Sequence, residues 1–411
     1  MQKVLASIIS TIFFTGTFYA QQSISGKVIN ASDGAAIAGA SVFISNTSKG
    51  TTTNSNGEFT LNEIPAGTHD LVISSIGYET YVKSFSTAEL PLNLSVKLSM
   101  KVKELEGVTV IPFEKDGWEK YGRIFTESFV GTTTNAMSCR ILNYKTIKFR
   151  YNKNENILSA VAMEPLVIEN KALGYSIHYQ LEGFDIDYNK GSLSYYGYPL
   201  LENMKGDKKK WKKNRREAYL GSVHHFIKSL YENKFAEEGF EVKRLKKVPN
   251  YEKARVNKIY KIIRKTTKDP KTGRLIATMD YNDEHFPADS VTYFKAVLKQ
   301  EDNIDIYSDY LLSTDSIIAF DSARHKYLLF PDFLAITYKN AMEDKRYVEQ
   351  IGEGGRYPFF QRSTITLIGR GYVSIEKNGT YYYPQELYTT GYWGWHEKIA
   401  ELLPVDYELG Q

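Results

Sequence analysis

The sequence predicts a mainly β protein with α+β character, in which an N-terminal seven-stranded β-sandwich is followed by an α+β domain with an antiparallel sheet. Three observations support this prediction. Aromatic residues make up 14% of the 411 residues, including 31 Tyr and 21 Phe, and aromatic side chains favour strands. Short stretches of alternating apolar and polar residues recur along the chain. A chain of this length also exceeds what one hydrophobic core usually serves, so more than one domain is expected.

Residues 1–20 are predicted to be a signal peptide. Lys3 provides a positive start, residues 4–14 form an apolar run, and Ala20 precedes the expected cleavage point. The run is shorter than the roughly 20 apolar residues that a membrane-spanning helix needs. No later stretch is long and apolar enough to span a membrane as a helix. We therefore expect an exported protein without a transmembrane segment after signal cleavage.

Charge and cysteine content exclude some classes of function. The formal net charge is +4, which gives no global field that would attract a nucleic acid, so no nucleic-acid partner is expected. Cys139 is the single cysteine and cannot form an intramolecular disulfide. A catalytic thiolate needs a positioned histidine, and none is close in sequence. We expect Cys139 to be a buried structural thiol.

Residues 21–100 are predicted to form the β-sandwich. Apolar residues alternate with polar ones in short stretches, as at Ala40, Val42 and Ile44, which is the pattern of a strand with one buried face. Turn residues such as Asp33 and Gly34 separate these stretches. About seven such strands with no helix pattern between them are typical of a small sandwich.

This segment closely resembles the carboxypeptidase-regulatory-like domain, a transthyretin-like sandwich. One departure is Ala36, where the family often has Pro. The resemblance implies an accessory fold of the exported Bacteroidota type and no protease activity. The apolar leader and the absence of a later span predict a location in the periplasm or at the outer membrane. The motifs that carry the resemblance lie at residues 24–28, 39–42, 50–54, 57–61, 64–67 and 75–78.

Residues 101–115 are predicted to be a linker, because Lys and Glu replace the alternating apolar residues between 101 and 106. Residues 103–110 are similar to the short segment that follows this domain in TonB-dependent transporters. The resemblance stops there, and the polar helix patterns downstream disfavour a transporter. The stretch 118–181 is similar to a poorly characterised region found behind this sandwich in exported Bacteroidota-type proteins, which implies no known activity.

Residues 116–411 are predicted to form the α+β domain, because helix and strand patterns follow one another along this segment. Trp118, Tyr121 and Phe125 recur at helical spacing in a helix at 116–131. A hairpin is predicted around a turn at 269–273, with Val256, Ile259, Ile262 and Ile263 in its first strand. Other helices are predicted at 218–235 and 392–403, and strands at 144–149, 157–163, 166–168, 174–186, 192–198, 324–338 and 363–375.

Residues 205–216 carry eight basic residues in twelve, with Trp211 among them. Alternating basic and aromatic residues could follow a nucleic-acid backbone, but an exported protein rarely meets one. Binding to anionic lipid head groups or lipopolysaccharide is a second interpretation. A solvated start of a helix is the interpretation that the composition favours.

The pattern of an enzyme active site is weak. A zinc peptidase typically has His and Glu three residues apart, and the nearest imitation, from His396, has Ala400 in place of the second histidine. No nucleophile elbow and no phosphate-binding loop occur. We predict no catalytic residue, no metal ligand and no cofactor, and we exclude a zinc carboxypeptidase. The best acid–base cluster is in a predicted loop and comprises Asp283, Glu284, His285 and Asp289.

Two classes of function remain open. The leading hypothesis is a non-enzymatic accessory or binding protein of the cell envelope, whose partner is an envelope glycan or an outer-membrane protein. Its candidate binding residues are Tyr195, Tyr196, Tyr198 and Trp211, although packing within the sheet is the favoured interpretation of the three tyrosines. The alternative is an envelope hydrolase of glycans or peptides with its active site in the C-terminal domain. A deep pocket with convergent carboxylates would favour the hydrolase.

Overall fold

The computed structural model describes residues 22–101, 111–206, 208–268, 274–352, 355–382 and 384–410. The predicted signal peptide, most of the predicted linker and the predicted turn at 269–273 lie outside these residues. In the part of the chain that is described, none of the helices combines the length and the hydropathy needed for a membrane span. Several mainly antiparallel sheets make up the protein, which confirms the predicted fold class.

The N-terminal segment is a sandwich of two sheets with seven strands, as predicted. One sheet has the order β4-β1-β7, and the other has the order β3-β2-β5-β6. Strand β1 pairs with β7 in parallel, and the other pairs are antiparallel. Alternate residues of β1 and β5 point into the shared core, where Ile24, Val28 and Leu71 are fully buried. The strands are β1 (Ile24–Asn30), β2 (Ser41–Ile44), β3 (Gly50–Thr52), β4 (Glu58–Leu61), β5 (Thr68–Ser74), β6 (Tyr81–Ser86) and β7 (Leu92–Leu98).

A helix and a six-stranded sheet follow. The predicted first helix is α1 (Gly117–Phe129), whose apolar face places Phe125 and Phe129 against Phe184 of the sheet. The strands are β8 (Cys139–Ile141), β9 (Ile147–Asn152), β10 (Ile157–Ala162), β11 (Leu166–Asn170), β12 (Tyr175–Asp187) and β13 (Ser192–Asn203). The long β12 pairs with β11 at its start, with β10 at its end, and with β13 along its length.

Two helices connect this sheet to the next one. The apolar stripe that predicted one helix at 218–235 is divided between α2 (Lys209–Tyr219) and α3 (Val223–Tyr231). Gly221 separates them with φ of 82°. The hydroxyl of Ser222 caps α3 by accepting a hydrogen bond from the His225 N–H at 3.0 Å.

A second antiparallel sheet has the strand order β17-β14-β20-β21-β24. Its strands are β14 (Phe240–Pro249), β17 (Asn303–Tyr307), β20 (Phe333–Met342), β21 (Phe360–Leu367) and β24 (Leu387–Gly391). A smaller sheet contains β18 (Ile318–Phe320), β19 (Lys326–Leu328), β22 (Val373–Ile375) and β23 (Tyr381–Tyr382). The predicted single strand at 324–338 is therefore two strands, because Asp332 has a left-handed φ of 58° that interrupts the pairing.

Between β14 and β17 the chain forms a small unit with its own core. It contains α4 (Tyr251–Ile259), β15 (Ile262–Lys268), β16 (Leu275–Tyr281) and α5 (Ala288–Leu298). The prediction that Val256 and Ile259 are in a strand was wrong, since both lie in α4. The side chain of Asn250 caps this helix by accepting from the Lys253 N–H, and Val256 packs against Phe294 of α5 in the core.

The C-terminal end also differs from its prediction. Two short helices, α6 (Lys345–Gln350) and α7 (Tyr392–His396), flank the second sheet. The predicted helix at 392–403 ends at His396, and a 3-10 turn follows at Ile399–Glu401. The helix does not continue to residue 403 because a tertiary contact replaces its hydrogen bonding. The Ala400 N–H donates to the carbonyl of Val130 at 3.0 Å.

The sandwich packs against the first C-terminal sheet. Phe43 and Val72 of the sandwich share a buried cluster with Leu200 of β13. The Leu201 N–H donates to the Thr47 carbonyl at 2.9 Å, beside a parallel bridge between Thr47 and Leu200. These contacts connect the sandwich with the C-terminal region, which the sequence predicts to be separate domains. The domain boundaries at 100 and 116 stay a prediction.

Candidate binding surface

The four candidate residues on β13 and α2 lie in different environments. Tyr196 is 61% exposed, and its ring crosses Gly183 of β12, where a Cβ would come within 2.3 Å of the ring. Tyr198 is half-buried and packs against the cluster that joins the sandwich to β13. Tyr196 therefore presents an open ring face, whereas Tyr198 contributes to the contact between the two parts.

Tyr195 and Trp211 are engaged in packing. The Tyr195 ring lies edge-on to Phe129 at 5.1 Å, and its hydroxyl donates to the Glu397 carbonyl at 3.4 Å. Burial raises the pKa of Tyr195 above the usual value of a phenol. Trp211 is 5% exposed, and its indole N–H donates to the Lys171 carbonyl at 3.0 Å. Neither ring offers a free face, and ligand binding at the four residues stays a prediction.

The predicted acid–base cluster at 283–289 is not brought together around one point. The Asp283 carboxylate accepts from the Tyr260 hydroxyl and, at 2.7 Å, from the Lys295 ammonium. It thus joins the turn after β16 to the small core of α4 and α5. His285 and Asp289 are exposed to solvent.

A second group of titratable residues surrounds His396. The buried Glu401 carboxylate accepts from the Thr133 hydroxyl at 2.5 Å and from the Asn135 amide at 2.7 Å, and His396 Nε2 lies 3.9 Å away. Burial alone would lower the pKa of His396, but hydrogen bonding to Glu397 and the charge of Glu401 outweigh it and raise the pKa. The hydrogen bonds of the Glu401 carboxylate with Thr133 and Asn135 thus attach the C-terminal segment to residues 133–135.

Two neighbours of this group have shifted pKa values. Burial raises the pKa of the Cys139 thiol to about 12, and the charge of Glu401 adds to the rise. Cys139 therefore stays protonated at neutral pH, and its Sγ lies 3.4 Å from the Asn135 carbonyl. Burial lowers the pKa of Lys398 to about 8, against the opposing effect of Glu397. Lys398 lies over the Tyr195 ring at 5.7 Å.

Two concavities lie on the surface of the described residues. One, of about 600 Å³, lies on the outer face of β1, β4 and β7 and has polar walls that include Ser25, Thr60 and Asn93. The other, of about 390 Å³, lies beside Trp118 and Tyr144 at the start of α1. Among the described residues, no group of three or more His, Cys, Asp or Glu side chains is placed to hold a metal ion.

A loop near residue 357 carries three exposed aromatic side chains, and it was not among the candidate sites predicted from the sequence. We call residues 355–360 the aromatic loop. Tyr357 is 90% exposed and Phe359 is 54% exposed, while Phe360 at the start of β21 is also open to solvent. Met342 is exposed as well and pairs with Phe360 across β20 and β21. We call Met342, Tyr357, Phe359 and Phe360 the aromatic patch.

Glu343 holds the aromatic loop in place. The residue is 7% exposed, and its carboxylate accepts from Nη1 of Arg356 at 2.6 Å and Nη2 at 3.3 Å. The same carboxylate accepts from the Phe359 N–H at 3.0 Å, and the Glu343 N–H donates to the Phe359 carbonyl at 2.7 Å. Charge-assisted, two-pronged hydrogen bonds of this kind are stronger than those between neutral groups and fix the geometry of both partners. Glu343 therefore connects both the Arg356 side chain and the Phe359 backbone to the end of β20.

Cationic side chains lie over the exposed rings. The guanidinium groups of Arg356 and Arg362 lie 5.5 and 5.8 Å from the Phe359 ring centre, and the Lys339 ammonium lies 5.7 Å from that of Phe360. Such contacts orient the rings and cover part of their surface. One sequence signal could have revealed the loop, namely three aromatic residues among the five that follow the glycine-rich stretch 352–355.

Comparison with known proteins gives one family match. Residues 24–110 match the family model of the CarboxypepD_reg-like domain. Among curated proteins, no relative matches the chain. Three solved structures to which the chain is similar have TM-scores below 0.2.

Two of these structures are type II cohesin–X-dockerin complexes from Acetivibrio cellulolyticus with interface mutations. They are 21% and 20% identical, cover 28% of this chain and 78% of theirs, and have TM-scores of 0.18 and 0.17. A third is a protein of unknown function from Bacteroides fragilis, described as membrane-associated. It is 10% identical, covers 86% of this chain and 92% of its own, and has a TM-score of 0.16.

TM-scores this low do not show that any of the three structures shares the fold of this chain. The family match is independent of them and coincides with the seven-stranded sandwich, which begins at Ile24. The chain therefore contains a CarboxypepD_reg-like domain at residues 24–110, joined to a C-terminal α+β region.

Proposed function

We propose that this is a non-enzymatic accessory protein of the bacterial cell envelope that binds another envelope protein through the aromatic patch. The observation that carries this proposal is the buried Glu343 carboxylate, which fixes a loop whose aromatic rings face solvent. Ordering a loop costs free energy when a partner binds, and a loop that is already ordered avoids that cost. Glu343 thus has the role of preparing Tyr357 and Phe359 for contact.

The composition of the patch supports a protein as the partner. Aromatic and arginine side chains dominate the binding energy of protein interfaces, and both are concentrated here. A glycan site would also need polar groups that can bond sugar hydroxyls. Of the charged groups at the patch, Glu343 and Arg356 already pair with each other, and Lys339 pairs with Glu241. The patch therefore fits an apolar or anionic protein surface better than a glycan.

The envelope location rests on two supports. The predicted leader at 1–20 is of the exported type, and the CarboxypepD_reg-like domain is an accessory fold in the exported proteins that the sequence resembles. In this proposal the sandwich is a rigid support packed on β13, and the second C-terminal sheet carries the binding surface. The periplasmic face of the outer membrane is the compartment that we propose.

Site-specific photo-cross-linking in the native bacterium tests the proposal. A photoreactive phenylalanine analogue replaces Tyr357 in one strain and Tyr251 in a control strain. Tyr251 is 75% exposed at the start of α4, outside the patch. We expect a discrete adduct at position 357 that proteases digest, and none at position 251. The substitution Glu343→Gln should lower the yield at 357 several-fold, because it removes the charge that holds Arg356.

Three outcomes would contradict the proposal. Equal adducts at positions 357 and 251 would indicate non-specific collisions. An adduct at 357 that resists proteases and is removed by glycosidases would identify a glycan. The absence of an adduct at 357, with the protein present at its normal level in the envelope, would show that the patch has no protein partner there.

A further inference from the structure

Helix α2 presents a dense row of cations to solvent. Lys209, Lys213 and Arg216 are spaced by four and three residues, so they lie on one side of the helix, and all three are exposed. Further exposed cations flank this row at Lys205, Lys208, Lys210 and Lys212. We call Lys209, Lys213 and Arg216 the α2 basic face.

The opposite side of the helix is attached to the protein. The Trp211 indole N–H donates to the Lys171 carbonyl at 3.0 Å, and the Asn214 amide donates to the Ala172 carbonyl at 2.9 Å. Arg215 donates to the Leu173 carbonyl at 2.7 Å, and its guanidinium lies 4.0 Å from the centre of the Tyr175 ring. The carbonyls of one turn, 171–173, thus hold the helix so that its basic face points outward.

The charges of α2 are unfavourable for the helix itself. Its first turn contains no acidic residue, and the preceding Lys208 provides no side-chain cap. The positive end of the helix dipole therefore repels the lysines of the first turn. Glu217 is the one acidic residue within α2, and it lies 3.7 Å from Lys213. An external anion would relieve both the repulsion among the lysines and that with the dipole.

We propose that the α2 basic face binds the surface of a bilayer that contains anionic phospholipid. Flexible lysines on a flat, exposed helix side can each reach a separate head group, and every Lys or Arg near an anionic membrane adds to the attraction. Single-stranded nucleic acid is a poorer fit, because its bases stack on exposed aromatic rings and Trp211 is buried. This inference is independent of the aromatic patch.

Vesicle flotation of the full mature chain tests the inference. Vesicles of phosphatidylcholine alone are compared with vesicles that also contain phosphatidylglycerol. The test variant is Lys209→Glu, Lys213→Glu, Arg216→Glu, and the matched control is Lys97→Glu, Lys153→Glu, Lys258→Glu, which changes the net charge equally at exposed positions elsewhere. The test variant should fold, because an acidic residue in the first turn of α2 favours the helix dipole.

We expect the wild-type chain to bind only the phosphatidylglycerol vesicles, and to lose this binding at high salt. The test variant should partition roughly a hundredfold more weakly, while the control should change several-fold at most. Equal losses in the two variants would overturn the inference. So would binding of wild type to a DNA duplex without binding to vesicles, or loss of vesicle binding in a Tyr357→Ser variant that keeps the basic face.

Discussion

His224 shows how the environment changes the chemistry of one side chain. Its ring Nε2–H donates to the Asn378 carbonyl at 2.7 Å, and its ring lies edge-on to Tyr219 at 5.4 Å. Burial lowers the pKa of His224 to about 4, against the opposing effect of the hydrogen bond to Asn378. The adjacent His225 instead accepts the Gly221 N–H at Nδ1 and faces Glu238. Adjacent histidines thus have separate structural roles.

The low pKa of His224 predicts a loss of stability in acid. The unfolded chain binds this proton near pH 6.5 and the folded chain only near pH 4, so the free energy of unfolding falls as the pH falls through that window. Between pH 7 and pH 5 the wild type should lose about 2 kcal/mol more than a His224→Gln variant. Urea unfolding at both pH values measures this difference, and parallel losses in the two proteins would contradict the prediction.

At the scale of single elements, α2 depends on a close contact with the turn after β11. Gly174 has φ of 74°, and a Cβ there would lie 2.3 Å from the Trp211 ring. The lack of a side chain at position 174 therefore allows Trp211 to cover the backbone. The carbonyls of 171–173 are then within reach of Trp211, Asn214 and Arg215.

A pair of glycine substitutions tests this dependence. Gly174→Ala should lower the free energy of unfolding by roughly 3 kcal/mol, because it adds a collision with Trp211 to the strain of a positive φ. Gly191→Ala has a similar φ of 62° with no atom within 4 Å of the new Cβ, and should cost only about 1 kcal/mol. Urea unfolding followed by tryptophan fluorescence compares the two. Equal costs would show that the contact with Trp211 is unimportant.

At the scale of the whole molecule, the sandwich and the C-terminal region share a buried contact. Phe43 and Val72 lie against Leu200, and the Tyr382 hydroxyl donates to the Thr68 carbonyl from the smaller sheet. The predicted linker at 101–115 is thus not the sole connection between the two parts. Covalent connection and packing can be separated by experiment.

Limited proteolysis followed by gel filtration separates these two contributions. We expect cleavage between Met100 and Trp118, after which the two fragments of the wild type elute together. Leu200→Asp should release the sandwich fragment, because it places a charge in the buried contact. Phe43→Asp should act in the same way from the other side. A control, Ile304→Asp, changes an exposed residue of β17 and should leave the fragments together. Separate elution of the wild-type fragments would contradict the prediction.

The sequence by itself determined the class of the fold and the strands of the sandwich. Its alternating residues and turns are local signals, so the seven strands from Ile24 to Leu98 and the first helix were predictable. The motifs of the CarboxypepD_reg-like domain were recognisable for the same reason. Local signals failed for Val256 and Ile259, whose β-branched side chains suggest a strand, whereas the Asn250 cap and the contact with Phe294 favour a helix.

Only the tertiary structure decided which side chains are available to a partner. Trp211 and Tyr195 each carry a polar group on an aromatic ring and have polar neighbours in the sequence, which suggests exposure. Contacts with Lys171 and Phe129 nevertheless bury the two rings. The aromatic loop became a candidate only once Glu343 was seen to pair with Arg356 across thirteen residues. Burial and ion pairing depend on residues that folding brings together, and no local pattern of the chain specifies those partners.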